Sequence, residues 1–202
     1  KQTCRKFNFV AESVFKVKLI YFLEKEEVFM NLFGEELKSW IVSIGGAIVL
    51  ALLIRTFIVE LYIVDGPSMR PTLQHEERLV VNKFIYRVRN PEHGEIIIFR
   101  YPRDPSRDFI KRVIAVAGDT IEIKEGRVYV NDEILHEDYI AEKTRTEYPK
   151  VTVPEGTLFV CGDNRQNSLD SRSSDVGFLP LENVKGKASV VFWPFDEFKV
   201  LP

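Results

Sequence analysis

Residues 109–131, FIKRVIAVAGDTIEIKEGRVYVN, show the clearest secondary-structure pattern of this chain. The runs TIEIK and RVYVN alternate apolar and polar residues, which is typical of half-buried β-strands. Glu125-Gly126 lies between them and supplies a short turn, so residues 120–131 predict a β-hairpin. The preceding run, FIKRVIAVAG, has the same enrichment in Val and Ile and predicts a further strand.

Short apolar runs of the same kind extend in both directions from this hairpin. They are separated by Gly, Pro, Asn and Asp, and no ten-residue helical period lies between them. The other runs are RLVVNKF, GEIIIFRY, TLFVCG and ASVVFWPF. We therefore predict a mainly antiparallel β domain over residues 63–202, in which the polar segment YIAEKTRTEYPK, residues 139–150, is a loop.

The composition restricts the class of protein. A chain of 202 residues has room for one ordinary domain and an appendage, and its net charge of -2 gives no reason to expect nucleic acid as a partner. Cys4 and Cys161 are far apart and match no metal spacing, so we predict neither a zinc site nor a disulfide. Cys161 is interpreted as a small apolar core residue. No metal and no cofactor is predicted.

A long uncharged run precedes the β domain. WIVSIGGAIVLALLI, residues 40–54, continues after Arg55 with TFIV and so reaches the roughly 20 residues that cross a bilayer. Arg55 can extend to the interface, where Trp40 and Tyr62 are suitable anchors. We predict a transmembrane anchor over residues 40–62, with a buried core helix as the alternative. Acidic and basic residues nearly balance on both sides, so charge does not indicate the orientation.

The segment before the anchor is predicted to be an N-terminal tail, residues 1–39. Residues 1–29 mix apolar and charged side chains without a helical period, and the first methionine is Met30. We expect Met30 to be a start, and residues 1–29 to be dispensable, either as upstream sequence or as an interfacial helix.

A serine follows the anchor, in VDGPSMRPTL, residues 64–73. The hydroxyl of Ser68 is a weak nucleophile until an adjacent base takes its proton. Histidine is the usual base, but His75, His93 and His136 lie in charged, loop-like stretches. None of the three is predicted to be the base.

Lys111, in FIKRVIAVAG, is a candidate base, because burial can lower the pKa of a lysine enough to leave it neutral. An alternating strand would place it on one face with three apolar residues, Phe109, Val113 and Ala115. Arg112 would face the other way, and arginine cannot be deprotonated. The alternative is an edge position from which Lys111 reaches solvent.

A third stretch, GDNRQNSLDSRSSD at residues 162–175, is dense in polar groups yet lies between the apolar runs TLFVC and VGFLPL. Such a density beside core strands indicates a polar network that holds a site together. A solvated loop is the alternative, whereas the acidic spacing does not match a calcium-binding EF-hand loop.

Together these stretches resemble the type I signal peptidases, in their Gram-positive-like form. These are membrane-anchored serine proteases that remove signal peptides from exported proteins. The resemblance covers nearly all of residues 40–195 and is carried, in order, by SMRPTL, FIKRVIAVAGD, GDNRQNSLDSR and VVFWPF. It implies an antiparallel β catalytic domain of the signal peptidase type, with one N-terminal transmembrane helix. It also implies cleavage after small residues, as in A-x-A.

The resemblance also implies roles for individual residues. Ser68 would be the nucleophile and Lys111 the general base, a Ser/Lys dyad. Ser168 would hydrogen-bond the lysine and orient it, and Asp170, Arg172 and Arg112 would form a supporting cluster of ion pairs.

The oxyanion hole would use the backbone N–H of Ser68. Gly66 stands where some family members have a serine that completes this hole, so its contribution must come from backbone or water. The residues that match the shallow, apolar S1 and S3 pockets are Tyr62, Val64, Met69, Phe109 and Ile110.

The implied partners are signal-peptide-bearing preproteins and membrane lipid, with the protein monomeric. Its implied location is the bacterial plasma membrane, as a single-pass protein with the catalytic domain on the extracytoplasmic side. Two alternatives remain. Self-cleaving repressors related to the SOS response share the Ser/Lys fold, but have a DNA-binding or soluble part where this chain has its apolar run. A non-enzymatic, membrane-anchored β domain would bind a partner through GDNRQNSLDSR and would be unaffected by Ser68→Ala.

Overall fold

The computed structural model describes Gly34, residues 36–55 and residues 57–202. The chain divides into two compact units, Lys1–Leu52 and Leu53–Pro202. Helix α1, Glu36–Arg55, is the one helix among the described residues that is long and apolar enough to cross a membrane, and none of its apolar window is buried. The predictions for residues 1–29 and for a start at Met30 lie outside the described residues.

Residues 57–202 form two antiparallel sheets. The strands are β1 Val59–Ile63, β2 Arg78–Asn82, β3 Ile96–Tyr101, β4 Asp104–Val116, β5 Thr120–Lys124, β6 Arg127–Val130, β7 Glu133–Ile134, β8 Tyr148–Thr152, β9 Thr157–Cys161, β10 Leu179–Pro180, β11 Val184–Trp193 and β12 Lys199–Val200. Short 3₁₀ helices occur at Ile85–Arg87, Leu181–Asn183 and Phe195–Glu197. The larger sheet has the order β1-β2-β11-β3-β4-β9-β10, with β12 on β11, and the smaller has the order β7-β6-β5-β8. The prediction of a mainly antiparallel β fold is confirmed.

The end of the predicted anchor is a strand. We predicted an anchor over residues 40–62, but α1 ends at Arg55 and β1 begins at Val59. In VELYI, Leu61 and Ile63 are exposed and the other three residues are half-buried, and the strand pairs with β2 from Val59↔Asn82 to Ile63↔Arg78. A five-residue ladder satisfies the backbone of this segment, so it belongs to the β domain.

The predicted hairpin is formed by β5 and β6. Glu125 and Gly126 have φ angles of 51° and 73°, the left-handed values that a two-residue hairpin turn requires at both positions. The predicted loop over residues 139–150 is shorter than expected, because β8 already begins at Tyr148.

A bulge in β4 changes which residues share a face. The pairing of β4 with β9 shifts register between Val113 and Ala115. Val113 therefore packs in the core of the larger sheet, while Ala115 joins Ile114 in the core between the two sheets. The prediction that Ala115 lies on the face of Lys111 is corrected. Cys161 is a fully buried, free thiol in β9, as interpreted from its strand pattern.

Candidate active site

Ser68 lies in the turn that follows β1, and this turn is held in place by side chains that pack in the core. Met69 and Leu73 are fully buried, and the N–H of Leu73 donates to the carbonyl of Met69. Lys111 lies on β4 in the interior of the larger sheet, and its side chain is only 3% exposed. Its Nζ donates to Ser68 Oγ at 3.0 Å and to the carbonyl of Ile110 at 2.8 Å. The structure thus brings the two predicted dyad residues into direct contact, 43 positions apart in sequence.

Burial lowers the pKa of Lys111 from its usual 10.5 to about 8, although the Asp170 carboxylate acts in the opposite direction. The amine also lies 5.2 Å from the centre of the Phe109 ring. With a pKa of about 8, about one lysine in ten is neutral at pH 7, against about one in a few thousand for an exposed lysine. This side chain can therefore accept a proton from the serine hydroxyl near neutral pH.

Two residues that the sequence analysis did not single out hold the serine turn. Asn164 donates its backbone N–H to the carbonyl of Ser68 at 3.0 Å and its side-chain N–H to the carbonyl of Pro67 at 3.1 Å. Gly162 lies so close that a Cβ there would be 2.4 Å from the carbonyl oxygen of Ser68. Their only sequence signal was their place in the polar stretch 162–175.

The supporting ion pairs are arranged differently from the prediction, which grouped Arg112 with Asp170 and Arg172. Asp170 and Arg172 do form a bidentate pair, with two contacts of 2.8 Å. Arg112 instead pairs with Asp163, through contacts of 2.9 and 2.7 Å. Both aspartates are almost fully buried, so each needs its own cation.

The two aspartates also fix backbone and hydroxyl groups of the site. Asp163 accepts a hydrogen bond from Thr72 in the serine turn, and Asp170 accepts one from the N–H of Gly162 at 2.9 Å. Burial raises the pKa of Asp170, but the Arg172 guanidinium and this N–H outweigh it and hold the pKa below its usual value. Asp163 was not predicted to be a site residue, although a buried polar network predicts an acidic partner for a buried arginine.

Ser168 is placed differently from the prediction. Its Oγ is buried, close to Gly162, and interacts with the Asp170 carboxylate, which helps to keep the pKa of that carboxyl low. The expected hydrogen bond to Lys111 is not formed, and the lysine amine donates to Ser68 and to the carbonyl of Ile110.

The dyad lies in a cleft of about 450 Å³. Four of the five predicted pocket residues line it, namely Tyr62, Val64, Phe109 and Ile110. Met69, the fifth, is fully buried in the core cluster beneath the turn and does not line the cleft, in contrast to the prediction. Lining residues that the sequence analysis did not identify include Leu79, Ile98, Arg107, Asp108, Asn167 and Leu169.

Gly66 adopts φ +94°, a conformation that favours glycine, at the entrance to the serine turn. Its N–H donates to His75 Nδ1 at 3.2 Å and is therefore already engaged. His93 contacts Asp119, and His136 is 98% exposed. No hydrogen bond joins any of these histidines to Ser68 within residues 57–202.

A serine in contact with a buried, neutralisable lysine, in the cleft of an antiparallel β domain, is the arrangement of a serine hydrolase with a lysine base. Comparison with known proteins shows the family. Residues 37–193 match the family described as "Signal peptidase, peptidase S26". The chain belongs to this family.

Individual relatives carry the same description. A probable signal peptidase I-2 from Synechocystis sp. is 45% identical over 161 residues, which are 77% of this chain and 72% of the relative. Signal peptidase I from Bacillus licheniformis is 39% identical over 171 residues, 80% of this chain and 91% of the relative. A crystal structure of a signal peptidase I from Enterococcus faecalis V583 aligns with a TM-score of 0.46 and 32% identity, covering 50% of this chain and 99% of that one.

The family membership and the relatives define this protein as a membrane serine endopeptidase that removes signal peptides from preproteins. A non-enzymatic binding domain and a self-cleaving repressor, the two alternatives from the sequence, do not agree with these relatives.

Proposed function

We propose that Ser68 is the nucleophile and Lys111 the general base of this endopeptidase. The observation that carries the proposal is the 3.0 Å hydrogen bond between Ser68 Oγ and a lysine amine that is almost completely buried. Neutral Lys111 takes the hydroxyl proton as Ser68 Oγ bonds to the scissile carbonyl carbon. The resulting ammonium gives that proton to the leaving amine, and an ester links the signal peptide to Ser68.

Hydrolysis of the ester uses the same two groups in reverse. Lys111, neutral again, takes a proton from a water molecule, and the resulting hydroxide attacks the ester carbonyl. The proton returns to Ser68 Oγ as the ester bond breaks, so the enzyme is regenerated. The backbone N–H of Ser68 would stabilise the negative charge on the carbonyl oxygen. The N–H of Gly66 cannot assist while it donates to His75.

The cleft supports a preference for small residues at the positions one and three before the scissile bond. Its walls near the dyad are formed by apolar or aromatic side chains from β1, β3 and β4, including Tyr62, Ile98 and Ile110. Several of these side chains are packed in the core and cannot move aside to admit a large substrate side chain. Steric exclusion therefore favours the pattern A-x-A.

We further propose contact between the β domain and lipid. One end of the larger sheet carries an exposed apolar patch, whose most exposed members are Leu61, Ile63, Phe195, Phe198 and Val200. Trp193 adjoins this patch, and Arg78 lies 5.6 Å from the centre of its ring. Exposed aromatic and aliphatic groups beside a cation are suited to a membrane interface.

The location proposed for the enzyme is the bacterial plasma membrane. The helix Glu36–Arg55 would cross the membrane once, with the catalytic domain on the extracytoplasmic side and the protein a monomer. Only three residues separate Arg55, the last residue of this helix, from the start of β1.

The proposed roles are tested with detergent-solubilised protein and a preprotein substrate. The wild type should release a product whose new N-terminus follows an A-x-A sequence, and Ser68→Ala should release none. A penem, which acylates reactive serines, should label the wild type but not Ser68→Ala. Cleavage by folded Ser68→Ala above the uncatalysed background would refute the nucleophile.

A further inference from the structure

The connection between β7 and β8 passes over the polar network behind the dyad. Residues 137–144 of this connection, which we call the strap, have no regular secondary structure. Three of its side chains contact three arginines of the network, and none of them lines the cleft. The strap comes from the smaller sheet, whereas the dyad lies on the larger one.

The first contact is an ion pair between Glu137 and Arg165, whose side chains are 8% and 0% exposed. Tyr139 donates its hydroxyl hydrogen to the same carboxylate oxygen at 3.0 Å. Arg165 in turn donates from Nε to the carbonyl of Gly162 at 2.9 Å. Glu137 thus compensates the charge of the residue that holds Gly162 against the serine turn.

The second contact is between Tyr139 and Arg112. The guanidinium carbon lies 3.9 Å from the centre of the tyrosine ring, which is a stacking distance. Arg112 is the partner of Asp163, and Asp163 accepts the hydrogen bond from Thr72 in the serine turn. The tyrosine ring therefore restricts the movement of the Arg112 guanidinium. Through Asp163, this guanidinium holds the serine turn at Thr72.

The third contact is a hydrogen bond of 2.9 Å from Arg172 Nη1 to Thr144 Oγ1. Thr144 is only 3% exposed, so water does not replace it readily. Arg172 is the partner of Asp170, which accepts the N–H of Gly162. Gly162 is thus held at its carbonyl through Arg165 and at its N–H through Asp170.

We propose that the strap is a positioning element of the catalytic site, and that Glu137, Tyr139 and Thr144 act through the three arginines. The inference rests on the proposed roles of Ser68 and Lys111. Gly162 has no room to shift towards Ser68, because even a methyl group there would overlap the serine carbonyl. A displaced arginine therefore changes the position of the nucleophile relative to the lysine amine.

Two matched pairs of variants test the proposal in the full-length, detergent-solubilised enzyme. Glu137→Gln removes the buried charge, and Asp138→Asn is its control, because Asp138 is adjacent and fully exposed. Thr144→Val removes the acceptor at nearly constant volume, and Thr144→Ser retains it. The measurements are kcat and KM for a preprotein, the rate of Ser68 acylation by a penem, and the melting temperature.

Glu137→Gln and Thr144→Val should lower kcat and the acylation rate about tenfold, because small displacements of reacting groups are costly in rate. KM should stay within about twofold, since none of these residues contacts the cleft. Asp138→Asn and Thr144→Ser should behave as the wild type.

Folded Glu137→Gln and Thr144→Val proteins with wild-type kcat and acylation rate would overturn the proposal, as would an effect confined to KM or to melting temperature. If Glu137→Gln does not fold, the comparison of Thr144→Val with Thr144→Ser decides. Failure of the proposed function would give a different result. In that case the wild-type enzyme, with its strap intact, would not cut preprotein, or Ser68→Ala would cut it at the same rate as the wild type.

Discussion

Replacing Lys111 by methionine should abolish cleavage and yet stabilise the folded protein near neutral pH. The folded state binds the lysine proton more weakly than the unfolded chain does, because burial lowers the pKa from 10.5 to about 8. The resulting loss of stability is complete below pH 8 and disappears as the pH rises towards 10.5. At about 1.4 kcal/mol per pH unit, this shift corresponds to roughly 3 kcal/mol.

Methionine has a similar length and no charge, so it avoids this cost but gives up two hydrogen bonds, to Ser68 and to the carbonyl of Ile110. Each such bond contributes about 1 kcal/mol, which leaves a net gain of about 1 kcal/mol at pH 7. The pH dependence of the difference in unfolding free energy is a more discriminating test than its value at pH 7. The advantage of Lys111→Met should decrease by roughly 3 kcal/mol between pH 7 and pH 10.5, and so become a disadvantage.

The assay is denaturant unfolding of the detergent-solubilised wild type and variant at several pH values, with Ser68→Ala as an inactive control that keeps the lysine. The acidic limb of kcat/KM for the wild type should lie near pH 8, where Lys111 loses its proton in the free enzyme. A difference in unfolding free energy that does not vary with pH, or an acidic limb near the ordinary lysine value, would refute the reasoning.

Three further predictions concern the base, the pocket and the backbone of the site. Lys111→Arg should be inactive, because arginine cannot lose its proton, while replacing any one of the three histidines by alanine should retain most preprotein cleavage. A preprotein with phenylalanine in place of the alanine before the cut should remain unprocessed, and equal rates for both substrates would contradict the steric pocket. Gly162→Ala should lower kcat at least about tenfold, because its Cβ would overlap the Ser68 carbonyl. Gly186→Ala on β11, whose Cβ would similarly overlap the carbonyl of Asn82 on β2, should reduce the melting temperature instead.

Local patterns sufficed for most of the fold. The runs TIEIK and RVYVN are strands because their alternation matches the pleat, and Glu125-Gly126 matches the turn that joins them. Local pattern failed at the end of the anchor, where the apolar character of TFIV does not distinguish a helix from the residues that lead into β1. It also failed at Ala115, because a bulge depends on the partner strand and leaves no signal in its own sequence.

The contact between Ser68 and Lys111 could be predicted because each residue lies in a short stretch that resembles a motif of the family. The role of the strap could not be predicted, since the contacts of its side chains with the arginines depend on how the smaller sheet packs on the larger one. Residues 139–150 were predicted to be a polar loop, yet Thr144 is almost fully buried. A polar segment over buried arginines has the composition of a solvated loop, so composition alone does not separate the two.

The pairing of the buried charges was the part of the site least accessible to sequence, because a coulombic attraction does not specify which aspartate an arginine meets. The register of the strands specifies which aspartate each arginine meets. Arg112 is opposite Cys161 in the β4–β9 ladder, and this brings Asp163, two residues further on, within reach of its guanidinium. Asp170 forms its ion pair with Arg172. This arrangement matters to Lys111, because an unpaired carboxylate nearby would hold the lysine proton. Burial has the largest effect on the pKa of Lys111 and lowers it, whereas Asp170 raises this pKa and Arg172, the partner of Asp170, lowers it.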